Sequence, residues 1–494
     1  PIVIAALSFT PRHLLVRVNA TNGTSADDVL LQFNGDTGSN YNRQYLLGNG
    51  TSELAGRDTS TTFINSMTYP GGTDDVFGGG EILVTDALST RSHKAMISMA
   101  GAAESFMLSC AGRWASTAAI TSVTLTANSQ TFAAGSTFEL CVVDESFNID
   151  EQIKTAGTGD GKFTVSSISG ANGDLVCIGN LRVTASGQTE DHLHMQFNGD
   201  TTASNYARQY LRGKATTVSG AAASDSLHAM APASNAGTGI FGAFIAQVTN
   251  FSDGSNDRVA TSLAGFHADA TFANVMATTS RWNNTAAITE IFLHGNAGTV
   301  EEFLVGSMLS TYAVPKNLIE RQELGSAANI TFSSIPQSYD HLELSVYARC
   351  DVDGDVKQYA VWFNGETTAG NFERQTFYAN NTTVAAYQHS SYVPGIIPGS
   401  TSTANVFGSQ TIILQNYTLT DRHQSALILG GYTTRPEIQM SSGRWKNTAA
   451  ITSIYLECED SGGGGENKFE AGTIVELRGI SATIPLAAGY TIFF

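Results

Sequence analysis

The side chains best suited to binding chemistry form an Arg-Trp pair that occurs three times along the chain. The pairs are Arg113-Trp114, Arg281-Trp282 and Arg444-Trp445. An indole face can stack on a sugar ring or a cation, and an arginine can add charged hydrogen bonds, so each pair could line a carbohydrate site. The pair could equally be a packing element, with the arginine lying over the indole and its guanidinium bound to an acidic residue of a nearby turn. We favour packing, because a pair that returns at one place in a repeated sequence is more often a requirement of the fold.

Oxygen-bearing side chains suggest calcium at two places. The segment 351–355 begins like a calcium-binding loop, but its glycine, Gly354, is fourth instead of sixth and its twelfth residue is Trp362 instead of glutamate. A recurring Asn-Gly-Asp turn, followed in the first copy by Thr37 and Asn40, also gathers oxygens. Capping of the turn by the asparagine explains the second pattern better. We therefore predict no metal site, no calcium requirement and no cofactor.

Residues typical of catalysis do not form a recognised motif in this sequence. No GxSxG elbow, HExxH, phosphate-binding loop or dinucleotide fingerprint is present. The histidines do not recur at matching positions, so we predict solvent or packing roles for them. The cysteines lack a CxxC pair and do not recur either, which predicts small buried hydrophobes without a disulfide or zinc framework. We expect a protein that is not an enzyme.

The elements that position the Arg-Trp pairs are three copies of one unit. Each pair is followed by Thr-Ala-Ala-Ile, at 117–120, 285–288 and 448–451. Upstream of each pair an apolar stretch ends in Asn-Gly, at 34–35, 198–199 and 364–365, and the chain continues with Asn-Tyr or Asn-Phe and then Arg-Gln. The period of roughly 165 residues is too long for a solenoid repeat and is typical of whole domains.

Alternating apolar residues between clusters of Gly, Ser, Thr and Asn predict short β-strands, and no stretch has sustained helical periodicity. The predicted fold is all-β, with three tandem β-sandwich (jelly-roll-like) domains. Their predicted ranges are 1–145, 146–314 and 315–480, followed by a C-terminal tail at 481–494.

The three copies have unequal ends. The first copy lacks the leading strand that 147–154 and 317–322 provide in the second and third copies, and the tail follows the last closing strand. We predict that the tail donates this missing strand to the first unit by β-augmentation. Donation within one chain would give pseudo-threefold closure, and donation between chains would give head-to-tail self-association; alternatively, the tail packs on the third unit or on another partner. The strand-donating residues are predicted to be Ile484, Leu486, Tyr490, Ile492, Phe493 and Phe494.

The composition limits the classes of partner. Only 14% of the residues are charged and the net charge is −18, so the surface repels phosphate backbones and offers no basic patch for a membrane. We predict neither nucleic-acid nor membrane binding. No signal peptide or long apolar run is recognised in the sequence.

Several of these motifs together resemble a known module. They are the run Ile-Thr-Phe-Ser-Ser-Ile-Pro-Gln-Ser-Tyr-Asp-His-Leu-Glu-Leu at 330–344, the Phe-Asn-Gly-Asp turn, Arg-Trp-x-Asn-Thr-Ala-Ala-Ile-Thr-Ser-Ile, and the Gly-Ser start of the closing strand. They resemble the repeated jelly-roll-like module of tailed-bacteriophage virion structural proteins, of decoration or fibre type. The resemblance covers the second and third copies almost fully, while the first departs from it at 9–13.

The resemblance implies a non-enzymatic structural protein of the virion, assembled in the host cytoplasm with other virion proteins as partners. Within that class we expect a surface-exposed decoration or cement protein on the capsid. One alternative is a tail fibre or spike component that binds a host glycan. A secreted carbohydrate-binding array is a further alternative, disfavoured because no signal peptide is recognised.

Overall fold

The structure is a computed structural model that describes residues 1–5, 12–22, 25–70, 76–103, 105–142, 148–155, 161–169, 173–185, 187–249, 251–252, 254, 256–269, 271–295, 303–315, 317–434, 436–459 and 467–481. Within these residues the fold is all-β, which confirms the predicted fold class. Two short 3-10 turns, Ala203–Asn205 and Ala369–Asn371, are the helical elements of this part of the chain. No helix among the described residues is long and apolar enough to cross a bilayer.

Three units follow one another, each with a small and a large antiparallel sheet. The strands of the first unit are β1 (Ile2–Ala5), β2 (Leu14–Ala20), β3 (Asp27–Phe33), β4 (Tyr41–Asn49), β5 (Ser52–Thr61), β6 (Ile64–Tyr69), β7 (Gly78–Thr85), β8 (Lys94–Ala102), β9 (Phe106–Trp114), β10 (Ser122–Ala127) and β11 (Thr137–Val142). The strands of the second unit are β12 (Asn148–Ile153), β13 (Phe163–Val165), β14 (Gly173–Leu181), β15 (Glu190–Phe197), β16 (Tyr206–Lys214), β17 (Thr217–Ala223), β18 (Leu227–Pro232), β19 (Gly242–Val248), β20 (Arg258–His267), β21 (Ala273–Trp282), β22 (Ile291–Gly295) and β23 (Met308–Pro315). The strands of the third unit are β24 (Leu318–Glu323), β25 (Ile330–Phe332), β26 (His341–Ala348), β27 (Val356–Phe363), β28 (Phe372–Asn380), β29 (Thr383–His389), β30 (Val393–Pro398), β31 (Gly408–Gln415), β32 (Gln424–Tyr432), β33 (Glu437–Trp445), β34 (Ile454–Cys458) and β35 (Ile474–Ile480).

The sheets have the same strand order in each unit. In the third unit the large sheet runs β24-β35-β26-β31-β32-β33-β28-β29 and the small sheet runs β25-β34-β27-β30. The second unit repeats this as β12-β23-β14-β19-β20-β21-β16-β17 and β13-β22-β15-β18. In the first unit the large sheet has seven strands, β11-β2-β7-β8-β9-β4-β5, beside the small sheet β1-β10-β3-β6. No described strand of the first unit occupies the place that β12 and β24 hold.

The hydrophobic core of each unit lies between its two sheets. Strand β10 illustrates the sequence pattern: Val123 and Leu125 are buried and the intervening Thr124 is only half-buried. Successive side chains of a strand point to opposite faces, so this alternation turns one face of the small sheet inward. The predicted alternation of buried and less buried residues is confirmed for β10.

Two of the recurring sequence motifs are joined to each other by hydrogen bonds. Asn364 has a positive φ of 52° at the turn. Its Oδ1 accepts from the backbone N–H of Thr452 at 2.8 Å and of Ser453 at 3.1 Å, and its Nδ2 donates to the carbonyl of Ala450 at 2.8 Å. Asn34 and Asn198 make the same three bonds in their units. The Asn-Gly turn and the Thr-Ala-Ala-Ile-Thr segment therefore recur together because each satisfies the polar groups of the other.

The large sheets are buried on both faces, because their second faces pack together in a central core shared by the three units. This central core includes Leu83, Ile97 and Met99 of the first unit, Ile178, Ile245 and Leu263 of the second, and Phe377, Leu429 and Met440 of the third. Strands covered on both sides are expected to be buried along their whole length, as β7 and β20 are and as β32 is except at one residue. The three units thus form one body.

Hydrogen bonds around the central core run cyclically. They join Gln44 Nε2 to the carbonyl of Ala215 (2.9 Å), Gln209 Nε2 to the carbonyl of Asn381 (3.0 Å), and Gln375 Nε2 to the carbonyl of Gly50 (3.0 Å). Each glutamine belongs to the recurring Arg-Gln pair, and each acceptor is in the turn of the next unit's β-hairpin. The bonds pass from the first unit to the second, the second to the third, and the third to the first. This is the contact pattern of a pseudo-threefold arrangement.

Candidate functional site

The three Arg-Trp tryptophans lie inside the sandwiches. Trp114, Trp282 and Trp445 are 3%, 1% and 2% exposed, and each stacks beside the aromatic residue that opens β4, β16 or β28. An indole in this position presents no face to a ligand. The same burial explains why the residue recurs in every unit: it fills the core next to the Asn-Gly turn.

The predicted partnership between arginine and indole is wrong. Neighbouring residues of a strand point to opposite faces, so the arginine cannot cover the tryptophan that follows it. Arg281 instead pairs with Asp257 at 2.9 Å, and Arg444 pairs with Glu373. The acidic residue of the turn binds the indole itself: Trp114 Nε1 donates to Asp36 Oδ2 at 2.7 Å, and this hydrogen bond holds the pKa of Asp36 below its ordinary value.

The third unit differs in this detail. The second unit repeats the bond, from Trp282 Nε1 to Asp200 Oδ2 at 2.8 Å. In the third unit the acid is Glu366, whose carboxylate accepts from Thr368 and Asn371, and Trp445 Nε1 has no hydrogen-bond partner among the described residues. A buried donor without a partner is destabilising.

Exchanging these acids is expected to change stability in opposite directions. Glu366→Asp gives Trp445 the acceptor found in the other units and should raise the melting temperature of the protein. Asp36→Glu removes that acceptor from Trp114 and should lower it. Differential scanning calorimetry of the two variants beside wild type checks both signs. Equal shifts in one direction would contradict this role of the carboxylate.

The calcium-like segment 351–355 does not gather its carboxylates on one point. Asp351 Oδ1 accepts from the backbone of Lys468 at 2.8 Å. Asp353 and Asp355 accept from hydroxyls of the facing turn, Ser400 at 3.3 Å and Thr401 at 3.1 Å. These carboxylates cap turns, which is the ordinary role of aspartate in such loops.

A feature that the sequence interpretation missed is an arginine that lies over a tyrosine ring in each of the three units. It is the arginine of the recurring Arg-Gln pair. Arg43 lies 4.7 Å from the ring centre of Tyr45, Arg208 lies 5.9 Å from Tyr210, and Arg374 lies 5.3 Å from Tyr387. The recurrence of Tyr-x-Arg-Gln or Phe-x-Arg-Gln was the available signal.

In the third unit this arginine, Arg374, lines a pocket of about 470 Å³, within the size range of small-ligand sites. Its lining residues are Val356, Gln358, Arg374, Tyr378, Asn380, Thr383, Tyr387 and Glu437. Tyr378 and Tyr387 meet edge to face with ring centres 5.9 Å apart. Arg374 donates to Gln358 Oε1 at 3.2 Å, and Asn380 donates to Glu437 at 3.0 Å. Aromatic rings beside amides and a carboxylate can bind a sugar, whose ring has an apolar face and a rim of hydroxyls.

In the second unit a cluster of histidines lies on the small sheet. His192 and His194 come from β15, His228 from β18 and His294 from β22. Nδ1 of His192 faces Nε2 of His228, and His194 stacks on His294 with ring centres 5.6 Å apart. Donor atoms of His194, His228 and the adjacent Asp225 lie within 4.8 Å of one another, which is the one such group found among the described residues.

Several buried or half-buried histidines of this protein have low pKa values. Burial lowers the pKa of His192 to about 4, that of His93 to about 4 and that of His267 to about 4, from an ordinary 6.5. Burial also lowers the pKa of His13 to about 3. Of the predicted solvent or packing roles, packing is the one that fits His13 and His267, which are 0% and 1% exposed.

Acidification is expected to destabilise the protein through these groups. Between pH 6.5 and about pH 4, His267 is protonated in the unfolded chain but stays neutral in the folded chain. The free energy of unfolding therefore falls as the pH drops through this range. His267→Leu should flatten the dependence of melting temperature on pH in this range, and the same substitution at the exposed His389 is the control. An unchanged slope for His267→Leu would contradict the argument.

The structure describes the predicted cysteines but not the predicted strand-donating tail. The five cysteines, Cys110, Cys141, Cys177, Cys350 and Cys458, are buried and free. Burial raises the pKa of Cys110 to about 12, so that thiol is unreactive at neutral pH. The strand-donating tail residues between Ile484 and Phe494 lie outside the described residues.

Comparisons with known proteins identify no family for this chain. No protein-family model matches the chain, and no curated protein matches it significantly. Among solved structures, a xylan β-1,4-xylosidase from Bacillus halodurans C-125 is 8% identical, with 87% of each chain covered and a TM-score of 0.14. A protein described under the triple jelly roll fold and turret assembly of an archaeal virus is 9% identical, with 97% of this chain and 82% of that chain covered and a TM-score of 0.10. The protein OccK2 (OpdF) of Pseudomonas aeruginosa is 11% identical, with 89% and 100% covered and a TM-score of 0.09. Scores this low carry no argument about function.

Proposed function

We propose that this chain is a non-enzymatic building block of a tailed-phage particle and that it decorates or cements the surface of the capsid. The observation that carries the proposal is the central core, in which the large sheets of three β-sandwich units pack face to face. The choice of a tailed-phage particle rests on the sequence motifs that resemble virion modules. The jelly-roll-like character of the units belongs to the same proposal.

The central core gives the protein the mechanical property that such a role needs. Apolar residues of three units are buried together, so separating any unit would expose a large apolar surface to water. Buried charges strengthen one contact between units: Arg478 Nη1 of the third unit lies 2.7 Å from Asp174 of the second. The result is a rigid block of near-threefold symmetry. Such a block suits the local threefold positions of an icosahedral shell, where one chain can contact three surrounding subunits in similar ways.

Localisation on intact particles tests the proposal. Gold-labelled antibodies against the purified protein are expected to bind around the head of the phage. Particles that lack the protein should lose their genome at a lower temperature than complete particles, because the cement between shell subunits is missing. Labelling confined to the tail would contradict the capsid position, and an absence of the protein from purified particles would contradict a virion role.

The pocket of the third unit favours one second candidate, a tail fibre or spike component that binds a host glycan. Its tyrosines and amides are suited to a sugar ring. A glycan array probed with wild type, Tyr387→Ala and the control His389→Gln would test it. Selective binding by wild type and the control, lost in Tyr387→Ala, supports the candidate. No binding by wild type would contradict it.

A further inference from the structure

We propose that residues 481–494 cross from the third unit to the first and add the eighth strand to the large sheet of the first unit, beside β11. The inference concerns how one chain closes into a ring and does not depend on where the protein acts. Three observations support it: an uncovered strand, two equivalent crossings elsewhere in the chain, and the place where β35 ends.

The uncovered strand is β11. It pairs with β2 on one side, and no described strand pairs with its other side. Its residues from Thr137 to Leu140 are only half-buried, whereas all seven residues of the equivalent β35 are buried. Phe138 and Leu140 are apolar residues at the margin of the core of the first unit. A half-covered strand with apolar side chains, and with no described strand on its second side, is a site for another strand.

The chain makes the required crossing twice. After β11 ends at Val142, it continues to the second unit and begins β12 at Asn148, which pairs with the closing strand β23. After β23 ends at Pro315, it continues to the third unit and begins β24 at Leu318, which pairs with β35. Each closing strand thus leads into the first strand of the next unit. The chain after β35 stands in the same relation to the first unit.

The end of β35 lies close to the open strand. Ile480 is the register partner of His341, and Nε2 of His341 is 2.8 Å from Glu139 Oε2 in β11. The junction of the first and second units has the same geometry, with Nε2 of His13 at 3.3 Å from Ser310 Oγ in β23. At that junction the chain passes from β11 to β12, so the contact marks the place where a crossing begins.

The tail is long enough and apolar enough to form a connection and a strand beside β11. Strands β12 and β24 have six residues each, and they follow connections at 143–147 and 316–317, so 481–494 can hold both a connection and a strand. Its apolar residues, from Ile484 to Phe494, would cover Phe138 and Leu140. The new strand would be at the edge of the sheet, where Pro485 is tolerated. Donation within one chain is favoured over donation between chains, because the third unit already packs on the first and holds the tail at a high effective concentration.

Deletion of 482–494 from the full chain tests the proposal. We expect faster amide hydrogen exchange in β11 and β2 and new protease cleavage in the first unit, while β23 and β35 stay protected. Light scattering should give a monomer before and after deletion. A synthetic peptide of residues 481–494 should restore the protection of β11, whereas a peptide with serine at the six apolar positions should not. Unchanged exchange in β11 would overturn the proposal, and a wild-type polymer that the deletion converts to monomer would overturn donation within one chain.

A second, independent inference comes from the histidine cluster. We propose that His194, Asp225 and His228 bind a divalent transition metal such as Zn²⁺, while His192 orients the ring of His228 from its other side. Imidazole nitrogens with one carboxylate are typical ligands of zinc. This proposal departs from the expectation, drawn from the sequence, that the protein holds no metal.

Two features point to a ligand in this cluster. His228 is only 2% exposed and its Nδ1 has no hydrogen-bond partner among the described residues, while its Nε2 faces Nδ1 of His192. Nδ1 of His194 lies 3.4 Å from Asp225 Oδ1. Arg208 Nη2 is also 3.4 Å from Asp225, at Oδ2, so a bound dication would share the carboxylate with a guanidinium. The positive charge of Arg208 must therefore weaken binding.

Calorimetric titration of chelator-treated full-length protein with Zn²⁺ tests this site. We expect one ion per chain, binding at least tenfold weaker in Asp225→Asn and His228→Gln, unchanged binding in His389→Gln, and tighter binding in Arg208→Gln. Circular dichroism spectra identify variants that have lost the fold. No saturable binding by wild type would overturn the proposal, as would an equal loss in His389→Gln.

Discussion

Replacing Arg478 with methionine is expected to destabilise the protein by about 3–5 kcal/mol, because it leaves buried carboxylates without their counter-charge. The guanidinium of Arg478 is 1% exposed and lies 2.7 Å from both Asp174 and Glu343 and 2.6 Å from Glu476. Methionine has a similar length and keeps the packing. The loss therefore comes from desolvated negative charge and not from a cavity.

The matched control is Arg321→Met. Arg321 also pairs with Glu476, at 3.0 Å, but it is 24% exposed, and a pair near the surface contributes up to about 1 kcal/mol. Chemical unfolding followed by circular dichroism gives both free energies. Because Asp174 belongs to the second unit, Arg478→Met should also increase amide exchange where the second and third units meet. Equal effects of the two variants would contradict the assignment of Arg478 as the buried centre of this network.

Replacing Trp445 with alanine is expected to cost roughly 3–5 kcal/mol of unfolding free energy, the usual effect of emptying an aromatic site in a core. The indole is 2% exposed and packs against Phe363 and Phe372. Neighbouring strands hold these rings, so the cavity cannot collapse fully. The expected loss falls in the third unit, where the residue lies.

Trp445→Phe separates the packing role from a binding role. Phenylalanine refills most of the site and should cost clearly less than alanine. Calorimetry gives the stability of both variants, and a glycan array gives their binding. A Trp445→Ala protein that melts like wild type but loses a ligand would contradict the packing interpretation.

Local features of the chain could be predicted because they depend on neighbouring residues. The alternation of Val123, Thr124 and Leu125 indicates a strand with one buried face. Asn364 followed by glycine indicates a tight turn, since both residues accept positive φ. The burial of Trp445 could be inferred from its recurrence with a constant flanking sequence. The orientation of Arg444 could have been inferred too, because adjacent residues of a strand point to opposite faces.

Two further features were decided by tertiary structure. The central core needs the outer faces of three large sheets to meet. A run such as Leu427–Leu429, whose residues alternate between the central core and the core of the third unit, reads in the sequence only as a buried strand, and the sequence does not name what covers its second face. The histidine cluster joins His194 and His228, which belong to strands separated by a hairpin and are brought together by sheet pairing. The sequence alone determined the repeats, the strands, the turns and the unequal ends of the three units. The structure decided which surfaces meet. Contacts between strands that are distant in sequence form only when the whole chain has folded, so no local sequence pattern specifies them.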